Sequence, residues 1–274
     1  MKRFIPIILV LLSVLLCFKT NAQGKLGVFV GGGMMAYTGD LQENAWPHAN
    51  TIRWTANAGL HWQITRRWGL QLNYTVGEIL ASDQFAKDAD RITRDLRFQT
   101  YVHEVGLRGT FDILPNDSWK VLPYITAGIA ALNFEPKRDG VALRGMQNEG
   151  VSYSNWTVSI PTGLGVKWQI NCRWALKGEF VYHWTITDYL DDVSGDYLAP
   201  TGDPEIDFYR DPGNVALTRS SRGTSKWKDG FWDLNVGVIF FFRGCGGSKK
   251  GGLIEDCDEL YKDVDMEKLM DQYK

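Results

Sequence analysis

The sequence predicts an all-β fold: an eight-stranded antiparallel transmembrane up-and-down β-barrel followed by a short tail of helical pattern. Three observations carry that prediction. Apolar and polar residues alternate with period two in successive segments, the connections alternate short and long, and tryptophans recur at segment ends. The 274 residues include 11 Trp, 11 Tyr, 13 Phe and 29 Gly, which suits closely packed strands with an apolar outer surface. The 30 Lys and Arg nearly balance 32 Asp and Glu and form no basic stripe, which argues against nucleic acid as a partner. A hydrophobic fraction of 44% excludes a disordered chain. Beyond the leader no apolar run approaches about 18 residues, which excludes a helical membrane span.

The elements follow in order. Lys2 and Arg3 form a basic start, residues 4–18 an apolar stretch, and Thr20-Asn21-Ala22 a small-residue cleavage site, so 1–22 reads as a signal peptide. Cys17 follows bulky Leu16, which argues against lipidation. Removing Lys2, Arg3 and Lys19 takes the formal charge of −2 to −5 for a mature chain starting at Gln23. Residues 23–243 are the expected barrel. Its first strand, 26–37, is glycine-rich. Strand 52–64 sets Trp54, Leu60 and Trp62 against Arg53, Asn57 and Gln63, and strand 68–76 sets Trp68, Leu72 and Val76 against Gln71 and Asn73. Strand 98–113 alternates from Tyr101, with Glu104, Arg108 and Asp112 on its polar face; strand 121–134 shows no clear parity. Strands 156–170, 174–186 and 232–242 each alternate, with Lys167, Lys177, Glu179, His183 and Asp233 on the polar side. Short links at 65–67, 114–120 and 171–173 interleave with long ones at 38–51, 79–97, 135–155 and 187–229. That is the asymmetry of outer-membrane barrels, with short periplasmic turns and long surface loops.

Volume decides which face is inside. The lumen of eight strands is just wide enough for ordinary side chains, so the tryptophans point outward and the small or polar face points inward. Trp54, Trp156, Trp184 and Trp232 then form a ring at the loop end, and Trp62, Trp68, Trp168 and Trp174 one at the turn end. Such a barrel has the lipid bilayer and lipopolysaccharide as its surroundings. The interior charges Arg53, Glu104, Arg108, Lys167, Lys177, Glu179 and Asp233 carry both signs; they are expected to pair and plug the centre, since an unpaired buried charge is costly.

Chemistry is sparse. His183 near Asp188, Asp191 and Asp192 is the one candidate base with an orienting carboxylate, set against a plain lumen hydrogen-bonder; the expectation is no enzyme. His48 and His61 lie far apart, and the 188–196 acidic run lacks the ligand spacing of a calcium loop, so it reads as solvated and no metal or cofactor is expected. After a Gly-rich linker, residues 244–274 are an acidic tail in which Leu253, Cys257, Leu260 and Val264 recur at helical spacing. Strand order puts this tail in the periplasm. Cys245, Cys257, Leu260 and Val264 are the candidate partner-binding residues there. Cys172 and Cys245 fall at the same rim and are the candidate disulfide. Whichever pair forms, three mature cysteines leave one thiol free or joined to a partner.

Certain residues resemble a known family. Tyr37-Thr38-Gly39-Asp40-Leu41 closes the first strand, Thr187-Asp188-Tyr189-Leu190-Asp191-Asp192-Val193-Ser194 leaves the seventh, and Arg222-Gly223 precedes Lys228-Asp229 before the eighth. Together they resemble the PorG-type outer-membrane proteins of Bacteroidetes type IX secretion. The resemblance implies a non-catalytic barrel that anchors a periplasmic ring, made of a lipoprotein and its partner, to the outer membrane. A stand-alone surface barrel of the OmpX kind and a rim enzyme are the competing readings.

Overall fold

The computed structural model describes residues 25–42, 46–116, 118–216, 221–224, 226 and 228–242. The expected signal peptide and the tail, with Cys245, Cys257, Leu260 and Val264, lie outside the described residues. Among the described residues nine strands occur: β1 (Lys25–Thr38), β2 (Arg53–Gln63), β3 (Trp68–Ser82), β4 (Arg97–Asp112), β5 (Val121–Arg138), the two-residue β6 (Val141–Ala142), β7 (Trp156–Gln169), β8 (Trp174–Thr185) and β9 (Gly230–Phe241). Two short helices, α1 (Ala89–Arg94) and α2 (Pro204–Arg210), sit in long connections.

Every strand pairing is antiparallel. β1 pairs with β2 and with β9, and the β4–β5 pairing joins the remaining halves, so eight strands close into a barrel and β6 only extends the hairpin after β5. All backbone donors along a closed ladder are met within the sheet, the condition for crossing hydrocarbon with strands. The outward face is predominantly apolar, with His103 paired to the Tyr74 hydroxyl at 2.8 Å and Thr162 to the Trp184 indole at 2.9 Å. Leu164 and Val236 are 63% and 65% exposed, and Val30, Leu60, Leu72, Val105, Leu107, Ile125 and Ile129 are exposed with them. Between the two Trp rings no Asp, Glu, Lys or Arg faces outward among the described residues. The strand segments between the rings, at the tilt of such barrels, span about 25 Å of hydrocarbon.

Three features differ from the sequence reading. β3 and β5 run to Ser82 and Arg138, several residues beyond their expected ends, so the barrel wall rises past the Trp ring. β5 does alternate: Leu122, Tyr124, Leu132 and Phe134 face inward and Val121, Ile125 and Ile129 outward. Its parity is invisible in sequence because both faces are apolar. Phenyl groups also enter the lumen, with Phe29, Phe98, Phe134, Phe231 and Phe241 all buried.

The lumen is filled in three layers. At the turn end, Phe29, Ala175, Ile239 and Phe241 cluster. The middle is charged and paired, with Lys177 Nζ 2.5 Å from Glu179 Oε2 and Arg108 Nη1 3.2 Å from Glu179 Oε1, and toward the turn end Lys167 Nζ lies 2.7 Å from Asp112 Oδ1. Arg53 pairs with Glu78 at the loop end at 3.2 Å. At the loop end an apolar layer includes Met35, Ile79, Phe98, Val102, Leu132, Phe134 and Phe231, joined by Leu41, Leu190 and Val193 from the connections.

Candidate functional site at the loop end of the barrel

The segments singled out by their motif residues are far apart in sequence and meet at one place, the loop-end mouth. β1 delivers Tyr37 there because odd positions of this strand face inward, and Tyr37 is buried edge-on against Phe98. Its hydroxyl lies 2.7 Å from Asp191 Oδ2 and 2.5 Å from Asp229 Oδ1. Gly39 is required at its position, since a Cβ there would sit 2.0 Å from the Tyr37 hydroxyl and 2.1 Å from the Asp229 carboxylate. Asp40 accepts a hydrogen bond from the Thr224 amide at 2.7 Å, and Leu41 is buried in the apolar layer.

The connection after β8 dives into the mouth. Leu190 and Val193 are fully buried, so the segment acts as a plug rather than a surface loop. Its amides are anchored by the carboxylates: Leu190 N donates to Asp229 Oδ2 at 3.0 Å and Val193 N to Asp191 Oδ1 at 2.9 Å. Thr187 and Tyr189 are half-buried beside it, with Tyr189 stacked on Tyr153 at 4.7 Å. Asp188 accepts from Ser194 Oγ at 2.6 Å. Asp192 accepts from Tyr153 Oη and Asn148 Nδ2 at 2.7 and 2.6 Å. The expected solvated acidic loop is therefore wrong: Asp188, Asp191 and Asp192 are buried, the last two held by Tyr37, Asn148 and Tyr153 from distant parts of the chain.

Arg222, itself buried, fastens the plug from the far side. Its Nη1 donates to the Asp192 carbonyl at 2.5 Å and to Glu149 Oε1 at 3.3 Å, while Glu149 accepts the Ser194 and Gly195 amides. Gly223 leaves no room for a side chain, because a Cβ would meet Asp40 Oδ2 at 2.5 Å. Arg94 of α1 reaches the Arg222 carbonyl at 2.6 Å and is clasped by Asp83 through two bonds of 2.7 Å. Burial pushes the Asp191 carboxyl well above the usual carboxylate range, with the neighbouring Asp229 adding to the rise. Burial likewise pushes Asp229 up to about 8, and Asp188 and Asp40 add negative potential.

His183 does not join these aspartates. It is buried within the lumen, with Nδ1 2.9 Å from Glu104 Oε2 and Nε2 2.8 Å from Asp233 Oδ2, and it stacks on Phe231. Ser159 Oγ donates to Glu104, not to His183, at 2.5 Å. The imidazole is thus a lumen hydrogen-bonder with both nitrogens engaged. No group of three or more His, Cys, Asp or Glu suited to a metal occurs among the described residues. Cys172 is disulfide-bonded; its expected partner Cys245 lies outside the described residues.

A family model described as "Domain of unknown function (DUF6089)" matches residues 2–198. No curated protein matches. Among solved structures, Neisserial surface protein A is 10% identical, with 79% of this chain and 97% of that one covered and a TM-score of 0.47. Ail, the attachment invasion locus protein of Yersinia pestis, solved with the heparin analogue sucrose octasulfate, is 14% identical, with 79% and 99% covered and a TM-score of 0.37. The outer membrane enzyme PagL is 11% identical, with 78% and 98% covered and a TM-score of 0.32.

Proposed function

This chain belongs to the DUF6089 family, and from that premise we propose that it is a non-enzymatic outer-membrane barrel that anchors a periplasmic ring complex of type IX secretion. The observation that carries the reading is the use made of the motif. The residues that resemble PorG-type proteins are spent on sealing the mouth, and the lumen beneath them is filled with paired charges. A barrel closed in this way offers faces rather than a passage, and an anchor works through its faces. The turn end suits contact with a ring. Arg67, Trp119, Lys120 and Arg173 are exposed on its three short turns, and the disulfide-bonded Cys172 lies beside Arg173. In this orientation the turns and the acidic tail face the periplasm and the long loops the cell surface. The tail, through Cys245, Cys257, Leu260 and Val264, adds a second contact, and the odd thiol a covalent one.

Purifying the tagged full-length chain from native membranes in mild detergent tests the proposal. Ring lipoprotein and its partner are expected to co-purify, together with a thiol-sensitive adduct on non-reducing gels. Recovery of the barrel alone overturns the anchor and leaves a stand-alone surface barrel, the reading favoured by the ordered loop-end architecture. Hydrolysis of lipid or peptide that disappears in His183→Ala would instead establish the enzyme.

A further inference from the structure

We propose that the loop-end mouth contains a binding site for one proton, shared among Asp191, Tyr37 and Asp229, and that this proton latches the plug in the barrel. The inference concerns the plug itself and holds whichever partner the barrel serves. It begins with a count of hydrogens. The Tyr37 hydroxyl stands 2.7 Å from one carboxylate oxygen and 2.5 Å from another. Both separations are hydrogen-bond lengths, yet a phenol has one hydrogen to give. With both aspartates ionised, one of the two contacts would set lone pair against lone pair inside a closed mouth. A second proton, on either carboxyl, completes the chain: one acid donates to the phenol oxygen, and the phenol donates to the other carboxylate. The remaining oxygens are occupied, Asp229 Oδ2 by the Leu190 amide and Asp191 Oδ1 by the Val193 amide.

The surrounding charges leave this role to a proton. From the end of β1 comes Asp40 and from the plug Asp188, both acids. Arg94 and Arg91 of α1 are committed, the first to Asp83 and the Arg222 carbonyl, the second to the Asp40 carbonyl at 3.0 Å. Arg222 is bound to Asp192 and Glu149. Lys228 is half-exposed and lies 3.9 Å from Asp188. β4 offers only Phe98 and the Thr100 hydroxyl, which donates to the Leu190 carbonyl. Among the described residues no cation hydrogen-bonds Asp191 or Asp229. The upward push on both carboxyls agrees with this geometry.

The linkage has a definite sign. A carboxyl with a raised value in the folded protein holds a proton that the unfolded chain has released. The stabilisation is therefore complete below the usual carboxylate range, declines as pH rises from there, and is exhausted once the proton leaves at alkaline pH. The segment this proton retains is the one carrying Leu190 and Val193, so alkaline pH releases the plug while the strand ladder stays closed.

Infrared difference spectroscopy of the full chain in detergent micelles at pH 7 tests the site, comparing wild type with Asp191→Asn, Asp229→Asn and the double variant. Asn supplies the donor that the neutral acid supplied. The protonated-carboxyl band of one group is therefore expected to vanish from either single variant, with no further loss in the double. No difference from wild type, or loss in only one single variant, overturns the shared proton. Chymotrypsin cleavage after Tyr189, normalised to a free peptide, reads the latch. Cleavage of wild type is expected to rise several-fold between pH 7 and 9 and to stay flat in both single variants. Parallel pH profiles for wild type and variants overturn the latch even if the proton is present.

Discussion

Glu179→Gln is the sharpest test of the filled lumen. Glu179 sits between two cations, with Lys177 Nζ at 2.5 Å and Arg108 at 3.2 Å, and all three side chains are almost wholly inaccessible to solvent. The trio has a net charge of +1. Neutralising its one acid makes this +2, with two buried cations whose other shared partner is the Gln71 amide oxygen at 3.2 and 3.4 Å. Breaking a buried pair in this way costs about 3–5 kcal/mol, chiefly for the charge left uncompensated. Lys177→Met added to Glu179→Gln restores +1 and is expected to recover most of the loss. The same removal at the mouth, where the Arg53 side chain is 32% exposed to water beside Glu78, should cost within about 1 kcal/mol. Urea unfolding in micelles, followed by tryptophan emission and by heat-modifiable gel migration, measures all three. A loss below about 1 kcal/mol for Glu179→Gln, or a double variant less stable than the single, would refute a lumen held by charge compensation.

Other outcomes follow from the same geometry. Leu164→Arg, outward and near mid-strand in β7, should destabilise the barrel in bilayers by about 2–4 kcal/mol, checked by urea unfolding in vesicles; a negligible change would mean that this face does not meet lipid. Gly39→Ala forces a methyl against the Tyr37 hydroxyl and the Asp229 carboxylate. It should cost about 1–3 kcal/mol and speed chymotrypsin cleavage after Tyr189, while strand content by circular dichroism stays unchanged. Leu190→Ala empties a fully buried site in the plug and is expected to cost about 2–5 kcal/mol in the same unfolding assay.

Much of this fold is legible in sequence because a barrel strand writes its environment at every second residue. Trp54, Leu60 and Leu72 turn outward where the alternation puts them, and Arg108, Lys167, Lys177 and Glu179 are paired inside. The pattern fails where the inside is itself apolar. Leu132 and Phe134 in β5 line the layer beneath the plug, so their strand reads as apolar on both faces. The plug was missed for a different reason. The acids look solvated in sequence because Asp191 meets Tyr37 154 residues away and Asp192 meets Tyr153 and Arg222 39 and 30 residues away, while Asp188 is held by Ser194 only through the fold of the loop. A signal was present: Leu190 and Val193 are spaced within the acids, and Gly39 stands two residues after Tyr37 and directly before Asp40. The residues quoted for the resemblance to PorG-type proteins converge on this mouth, while composition and periodicity alone gave them no role.

The layering of the lumen also separates two ideas that a sealed mouth alone would leave joined. If the plug were a gate, removing it would open a path; if the barrel is closed by construction, removing it would not. Below Leu190 and Val193 lie His183 between Glu104 and Asp233, then Arg108, Glu179 and Lys177, and at the turn end Lys167 with Asp112 and the cluster of Phe29, Ile239 and Phe241. All of these side chains stand on barrel strands rather than on the plug. Asp191→Ala with Leu190→Ala, which unfastens the plug, is therefore expected to leave planar bilayers as non-conducting as the wild type does. Channel openings in that variant would show that the plug is a gate and would shift the weight of the function from the faces of the barrel to its interior.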